Sequence, residues 1–210
     1  MHIPDGFLDT KAWVSLYLVS AGAIGISVNR ANRQMEDKRI PLMGVMAAFV
    51  FVAQMLNFPV AGGTSGHFVG AAFIAILLGP WAALLVITSI LLVQCLLFQD
   101  GGLTALGANI FNMGIVGGFI GFYSYLGISY LFPKKGLLAA AFLAGFLSVL
   151  TSATACALEL AFSGTVPLMP GLIAISFVHT PIGLGEGLIN IGAILFLQKT
   201  RPDLLELDRM

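Results

Sequence analysis

Apolar residues run along this chain in long blocks separated by brief polar or Gly/Pro punctuation. A membrane-crossing helix needs about 20 mostly apolar residues at a rise of 1.5 Å each. Seven segments follow that pattern: Lys11–Asn29, Pro41–Phe58, Phe68–Leu78, Pro80–Phe98, Leu106–Phe132, Gly136–Phe162 and Gly171–Gln198. The third is only half a span long and meets the fourth at Gly79-Pro80. Proline ends the helix before it, so this pair reads either as one kinked helix or as two helices with a reversal between them. The predicted fold is an all-α membrane protein of about seven transmembrane helices, built as a single integral domain over residues 1–210 with a polar amino-terminal segment, 1–9.

Charge chooses between the two readings. Basic residues follow the first segment (Arg30, Arg33, Lys38, Arg39), the fifth (Lys134, Lys135) and the seventh (Lys199, Arg201). Cytoplasmic loops carry such clusters, and only a reversal at Gly79-Pro80 puts all three on one side. The expected topology then has the amino terminus outside and the carboxyl terminus inside. Met1-His2, the loops Pro59–His67, Gln99–Leu103 and Ser163–Pro170, and the outer ends of the helices carrying Asn109, His179 and Glu186 all fall on the external face. The spacings of Gly114, Gly117, Gly118 and Gly121, and of Gly44 with Ala48, allow close helix approach in lipid, either within the chain or against a partner.

Composition agrees with the pattern. Hydrophobic residues make up 58% of 210, charged residues 10%, and the net charge is zero, against about 25% charged in soluble domains. The protein is expected in the cell membrane as a multi-pass chain, and no basic patch points to nucleic acid. Cys95 and Cys156 lie in apolar runs and read as buried free thiols. The first helix lacks the basic start and cleavable small-residue site of a signal peptide, so it is expected to stay. Met1 is expected to stay as well, because His2 is too large for the usual initiator removal.

Three histidines carry the candidate chemistry. A free terminal amine, one peptide nitrogen and the His2 imidazole form a ready chelate: Met1 N and the His2 amide close a five-membered ring on a metal, and that amide and His2 Nδ1 close a six-membered one. His67, in GGTSGH, could fill the fourth position; Gly62, Gly63 and Gly66 allow a compact loop, and Thr64 and Ser65 supply hydroxyls that could orient an imidazole. Four nitrogens in a plane favour Ni²⁺ or Cu²⁺. Taken alone, His2 reads equally as a solvated terminal residue and His67 as a packing residue. His179 and Glu186, seven apart in VHTPIGLGEG, share a helix face and read as a polar network, direct ligands or a structural pair. Asp100 in FQDGG reads as a turn residue or a gate, Asn109 and Asn112 as sharing one face, and Glu159 as reaching the interface.

No phosphate loop, HExxH or GxSxG occurs in the chain, so ATP-driven pumping would need a partner and hydrolase chemistry finds no support. Four stretches in order, MHIPDGFL, QMLNFPVAGGTSGHFVGAAFIAILLGPWAA, LLFQDGGLTALGANIFNMG and HTPIGLGEG, resemble the CbiM/NikM family, the substrate-binding components of energy-coupling factor (ECF) transporters for cobalt and nickel. The resemblance covers nearly the whole chain. It implies a substrate-component fold with an additional amino-terminal helix, and metal ligands at Met1, His2 and His67. It also implies Ni²⁺ or Co²⁺ as transported substrate with no organic cofactor, and a non-enzymatic subunit. The implied partners are a membrane coupling subunit, two cytoplasmic ATPase subunits and a small additional membrane subunit. Two rival functions stand beside this one: a substrate component for an organic vitamin, and an intramembrane zinc enzyme built on His67, His179 and Glu186.

Overall fold

The computed structural model describes residues 1–34, 39–60, 64–132 and 136–205. Among them the helices are α1 (Thr10–Gln34), α2 (Ile40–Gln54), α3 (Ala71–Leu78), α4 (Pro80–Phe98), α5 (Leu106–Leu131), α6 (Leu137–Phe162) and α7 (Leu168–Thr200). Five of these, α1 and α4 to α7, are long and apolar enough to cross a membrane, whereas α2 has 15 residues and α3 has 8. The chain is an all-α membrane protein, and among the described residues the one departure is a small hairpin, β1 (Asn57–Val60) against β2 (Thr64–His67).

That hairpin changes the reading of two segments. The helix expected over 41–58 ends at Gln54, because Asn57 pairs with His67 and Val60 with Thr64 in an antiparallel ladder. The segment expected from Phe68 becomes helical only at Ala71, after Gly70 adopts φ +73°. A Cβ at Gly70 would lie 2.7 Å from Val50 Cγ1, so this left-handed corner also needs glycine for space. Every residue of α3 is buried, so α3 is a core element with no lipid-facing side. Gly62, Gly63, Lys38, Lys134 and Lys135 lie outside the described residues.

Gly79, at φ +84°, ends α3, and Pro80 opens α4 at a position where its missing N–H costs nothing. Two contacts show how sharp the break is. Ala83 meets Gly118, and Ala72 meets Gly121, and positions three apart on α5 have Cβ atoms about 5–6 Å from one another. Eleven residues of straight helix would separate Ala72 and Ala83 by about 16 Å, more than those contacts allow.

Within α5 the residues Ile110–Gly117 form a π-helical stretch. Its glycines pack inside the chain: Gly114 faces Leu84, Gly117 faces Ser148 and Ser152 on α6, and Gly121 faces Ala72. Loops at one end of the bundle are tied together, Gly102 N–H donating to Ile3 O at 2.8 Å and Thr104 N–H to Asp5 Oδ1 at 2.6 Å. At the opposite end Arg30 lies 5.8 Å over the Trp81 ring. Cys95 and Cys156 are free thiols.

Candidate metal centre

The first three residues run into the bundle instead of trailing from it. Met1 and Ile3 are fully buried and His2 is 4% exposed, so this terminus is not a solvated end. Three elements receive it. On the hairpin, Thr64 Oγ1 donates to His2 O at 3.1 Å and His2 N–H donates to Ser65 Oγ at 3.1 Å. On α5, Asn109 takes the whole Ile3 peptide unit, accepting from its N–H at 2.8 Å and donating to its carbonyl at 3.2 Å. The turn after α4 closes over this terminal segment: a Cβ at Gly102 would lie 2.2 Å from Asp5 N, so only glycine lets the two backbones approach.

The terminal amine lies 2.7 Å from His67 Nε2 and donates to the Ser65 carbonyl. His67 Nδ1 is 2.7 Å from Phe68 O, which can only accept. The ring proton is therefore on Nδ1 and the lone pair on Nε2 points at the amine. His2 Nε2 faces Gln94 Oε1 at 3.1 Å, a contact that suits the tautomer with its proton on Nε2 and Nδ1 free for a metal. The two imidazoles stack at 4.5 Å between centroids. Asp100 Oδ1 lies 3.2 Å from His2 Nδ1, and its Oδ2 accepts from Asn57 Nδ2 at 3.0 Å.

Burial sets the charge state. Desolvation, reinforced for His2 by the neighbouring amine, lowers the Met1 amine to about 5 and His2 to about 3. His67 is lowered well below its usual value by desolvation first, then by the amine and His2. Asp100 is raised by desolvation, partly offset by the amine and Asn57. The amine and both rings are thus neutral near pH 7 with lone pairs available, as metal ligation requires. Two nitrogens on adjacent corners of one metal, each at about 2.0 Å, are about 2.8 Å apart, close to the amine–His67 separation of 2.7 Å.

Other expected residues have different tasks. Glu186 on α7 accepts from Val69 N–H at 2.8 Å and Gly70 N–H at 3.0 Å, clamping the segment after His67. His179 is buried with Nδ1 2.8 Å from Ile175 O, and Nε2 has no hydrogen-bond partner among the described residues. No three His, Cys, Asp or Glu side chains gather as a metal site among the described residues, so the His67–His179–Glu186 zinc trio is not assembled. Asn109 and Asn112 diverge instead of sharing a face: the π-helical stretch between them widens the turn, and Asn112 Nδ2 donates to Glu159 Oε2 at 2.7 Å. Glu159 is accordingly buried inside the protein. Gln94 and Gln54, whose Nε2 donates to Val69 O at 2.7 Å, escape sequence reading because a lone glutamine in an apolar run carries no motif.

Comparison with known proteins decides the family. Residues 2–204 match the CbiM family, described as the cobalt uptake substrate-specific transmembrane region. The chain belongs to the CbiM family. Similar CbiM-family relatives include a putative fused nickel transport protein NikMN of Archaeoglobus fulgidus, 42% identical over 98% of this chain and 68% of that protein. The cobalt transport protein CbiM of Sorangium cellulosum is 36% identical over 98% of this chain and 95% of its own. A crystal structure of a truncated transition metal transporter matches with a TM-score of 0.88 at 31% identity, covering 95% of this chain and 99% of that one. The protein is a multi-pass membrane protein of a cobalt and nickel uptake family.

Proposed function

We propose that this chain is the substrate-capturing subunit of an ECF-type importer, taking Ni²⁺ first and Co²⁺ next from the external side. The cation would be held by the Met1 amine, the His2 amide nitrogen, His2 Nδ1 and His67 Nε2 in a planar set. The observation that carries this reading is the buried approach of the Met1 amine to His67 Nε2 at 2.7 Å, with the far nitrogen of each imidazole already committed to a carbonyl oxygen. Ser65, Thr64 and Asn109 would hold the amino-terminal strand in register, and Glu186 would hold the peptide after His67. A coupling subunit, two cytoplasmic ATPases and a small additional membrane subunit would complete the transporter, because the chain carries no nucleotide-binding motif of its own.

The relatives named as nickel and cobalt transport proteins support the substrate. Donor chemistry supports its order, since a planar nitrogen set suits Ni²⁺. Titration of the purified chain with Ni²⁺, Co²⁺, Cu²⁺ and Zn²⁺ tests it. The expected result is one Ni²⁺ per chain with the yellow, diamagnetic signature of planar nitrogen coordination, and weakened binding in His67→Ala. Tetrahedral zinc binding that survives His67→Ala would overturn it.

A further inference from the structure

Asp100 is the one carboxylate that touches the nitrogen set among the described residues. Its side chain is 17% exposed against 3% for His2, so it stands at the rim while the nitrogens lie inside. Three contacts fix it there. Oδ2 accepts from Asn57 on the hairpin at 3.0 Å, its backbone N–H donates to Gln94 O at 3.0 Å, and Oδ1 faces His2 Nδ1 at 3.2 Å. The residue before it, Gln99, has φ +55°, the sole positive φ at a non-glycine among the described residues. Gln99 is the left-handed C-cap of α4, and the Asp100 N–H bond to Gln94 O closes that cap, which fixes where the DGG turn leaves the helix.

The position of Asp100 relative to the site is what matters: its Oδ1 stands 3.2 Å from His2 Nδ1, a nitrogen of the proposed ligand set, so a cation approaching that nitrogen from the rim comes within reach of the carboxylate. A divalent ion arrives with an oxygen shell of water, and a carboxylate is a better match for that shell than buried nitrogen. A negative charge at the rim of a low-dielectric cleft also concentrates cations there.

Building on the metal-capture reading, we propose that Asp100 is the entry ligand: it takes the hydrated divalent cation at the rim and passes it to His2 Nδ1 as the nitrogen set closes. Its effect is then on the rate of capture and not on the final coordination.

Stopped-flow mixing of the full chain with Ni²⁺ and Co²⁺ tests this, with Asp100→Asn, Asp100→Glu and His67→Ala in parallel. Asp100→Asn should slow association about tenfold or more, the scale of electrostatic steering, with dissociation and the final spectrum nearly unchanged. Asp100→Glu, which keeps the charge, should restore most of the rate. In the unmodified protein, association should slow as KCl rises. Unchanged association in Asp100→Asn, a loss confined to dissociation, or a rate indifferent to salt would each overturn the assignment. If His67→Ala binds like the unmodified protein, the nitrogen-ligand reading itself fails. Impaired His67→Ala with normal Asp100→Asn kinetics removes Asp100 alone.

Discussion

At the scale of single residues, the site depends on which nitrogens carry protons. Phe68 O takes the His67 N–H and Gln94 Oε1 faces His2 Nε2, and partners that orient a ligand ring this way are worth about 10–100-fold in metal affinity. Gln94→Leu should therefore weaken Ni²⁺ binding by roughly that factor in a calorimetric titration while leaving the helical content unchanged. Protons and metal compete for the same lone pairs, and burial sets where the competition begins. With the amine lowered from 8.0 to about 5 and His2 from 6.5 to about 3, both are neutral at pH 7, so with the proposed ligand set only the His2 amide proton would be displaced there. Affinity should fall about tenfold per pH unit from pH 8 to 6 for that one proton, then more steeply below about pH 5 as the amine takes up a proton. Steepening between pH 8 and 6.5 would mean that the amine and rings are solvated. His2 and His67 were legible in the sequence because histidine is rare in apolar surroundings. Gln94 was not, since its role depends on which turn of α4 faces the terminus.

At the scale of elements, most of the helices were legible, because long apolar runs leave few alternatives in lipid. The hairpin was not: NFPV and TSGH are short and contain proline and glycine, and their pairing relies on tertiary support. Glu186 supplies part of that support from α7 by accepting two backbone N–H groups, and it is 1% exposed. Glu186→Ala strands both donors in a buried setting at about 1–3 kcal/mol each. It should lower the thermal midpoint in detergent and weaken metal binding through His67, and Glu186→Gln, which keeps one acceptor, should fall between. A midpoint equal to that of the unmodified protein would remove the clamp. The π-helical stretch of α5 was likewise invisible to periodicity, which assumes a constant turn; it sends Asn109 to Ile3 and Asn112 to Glu159.

At the scale of the molecule, the amino-terminal segment, the hairpin and the DGG turn meet at one end of the bundle, and Arg30 lies against Trp81 at the other. In the proposed topology, drawn from the positive-inside rule, that other end would face the cytoplasm. Single cysteines introduced at Thr165 and at Lys199, in a background with Cys95 and Cys156 replaced by alanine, should label from outside and from inside respectively; the reverse pattern would invert the topology. The central claim is that the terminal amine is itself a ligand, and one comparison addresses it most directly: Ni²⁺ titration of the chain beginning at Met1 beside the same chain carrying a short Gly/Ser extension before Met1. The extension turns the amine into an amide, so the account predicts loss of tight binding and of the planar nickel spectrum. An extended chain that binds Ni²⁺ as tightly, with the same spectrum, would contradict it.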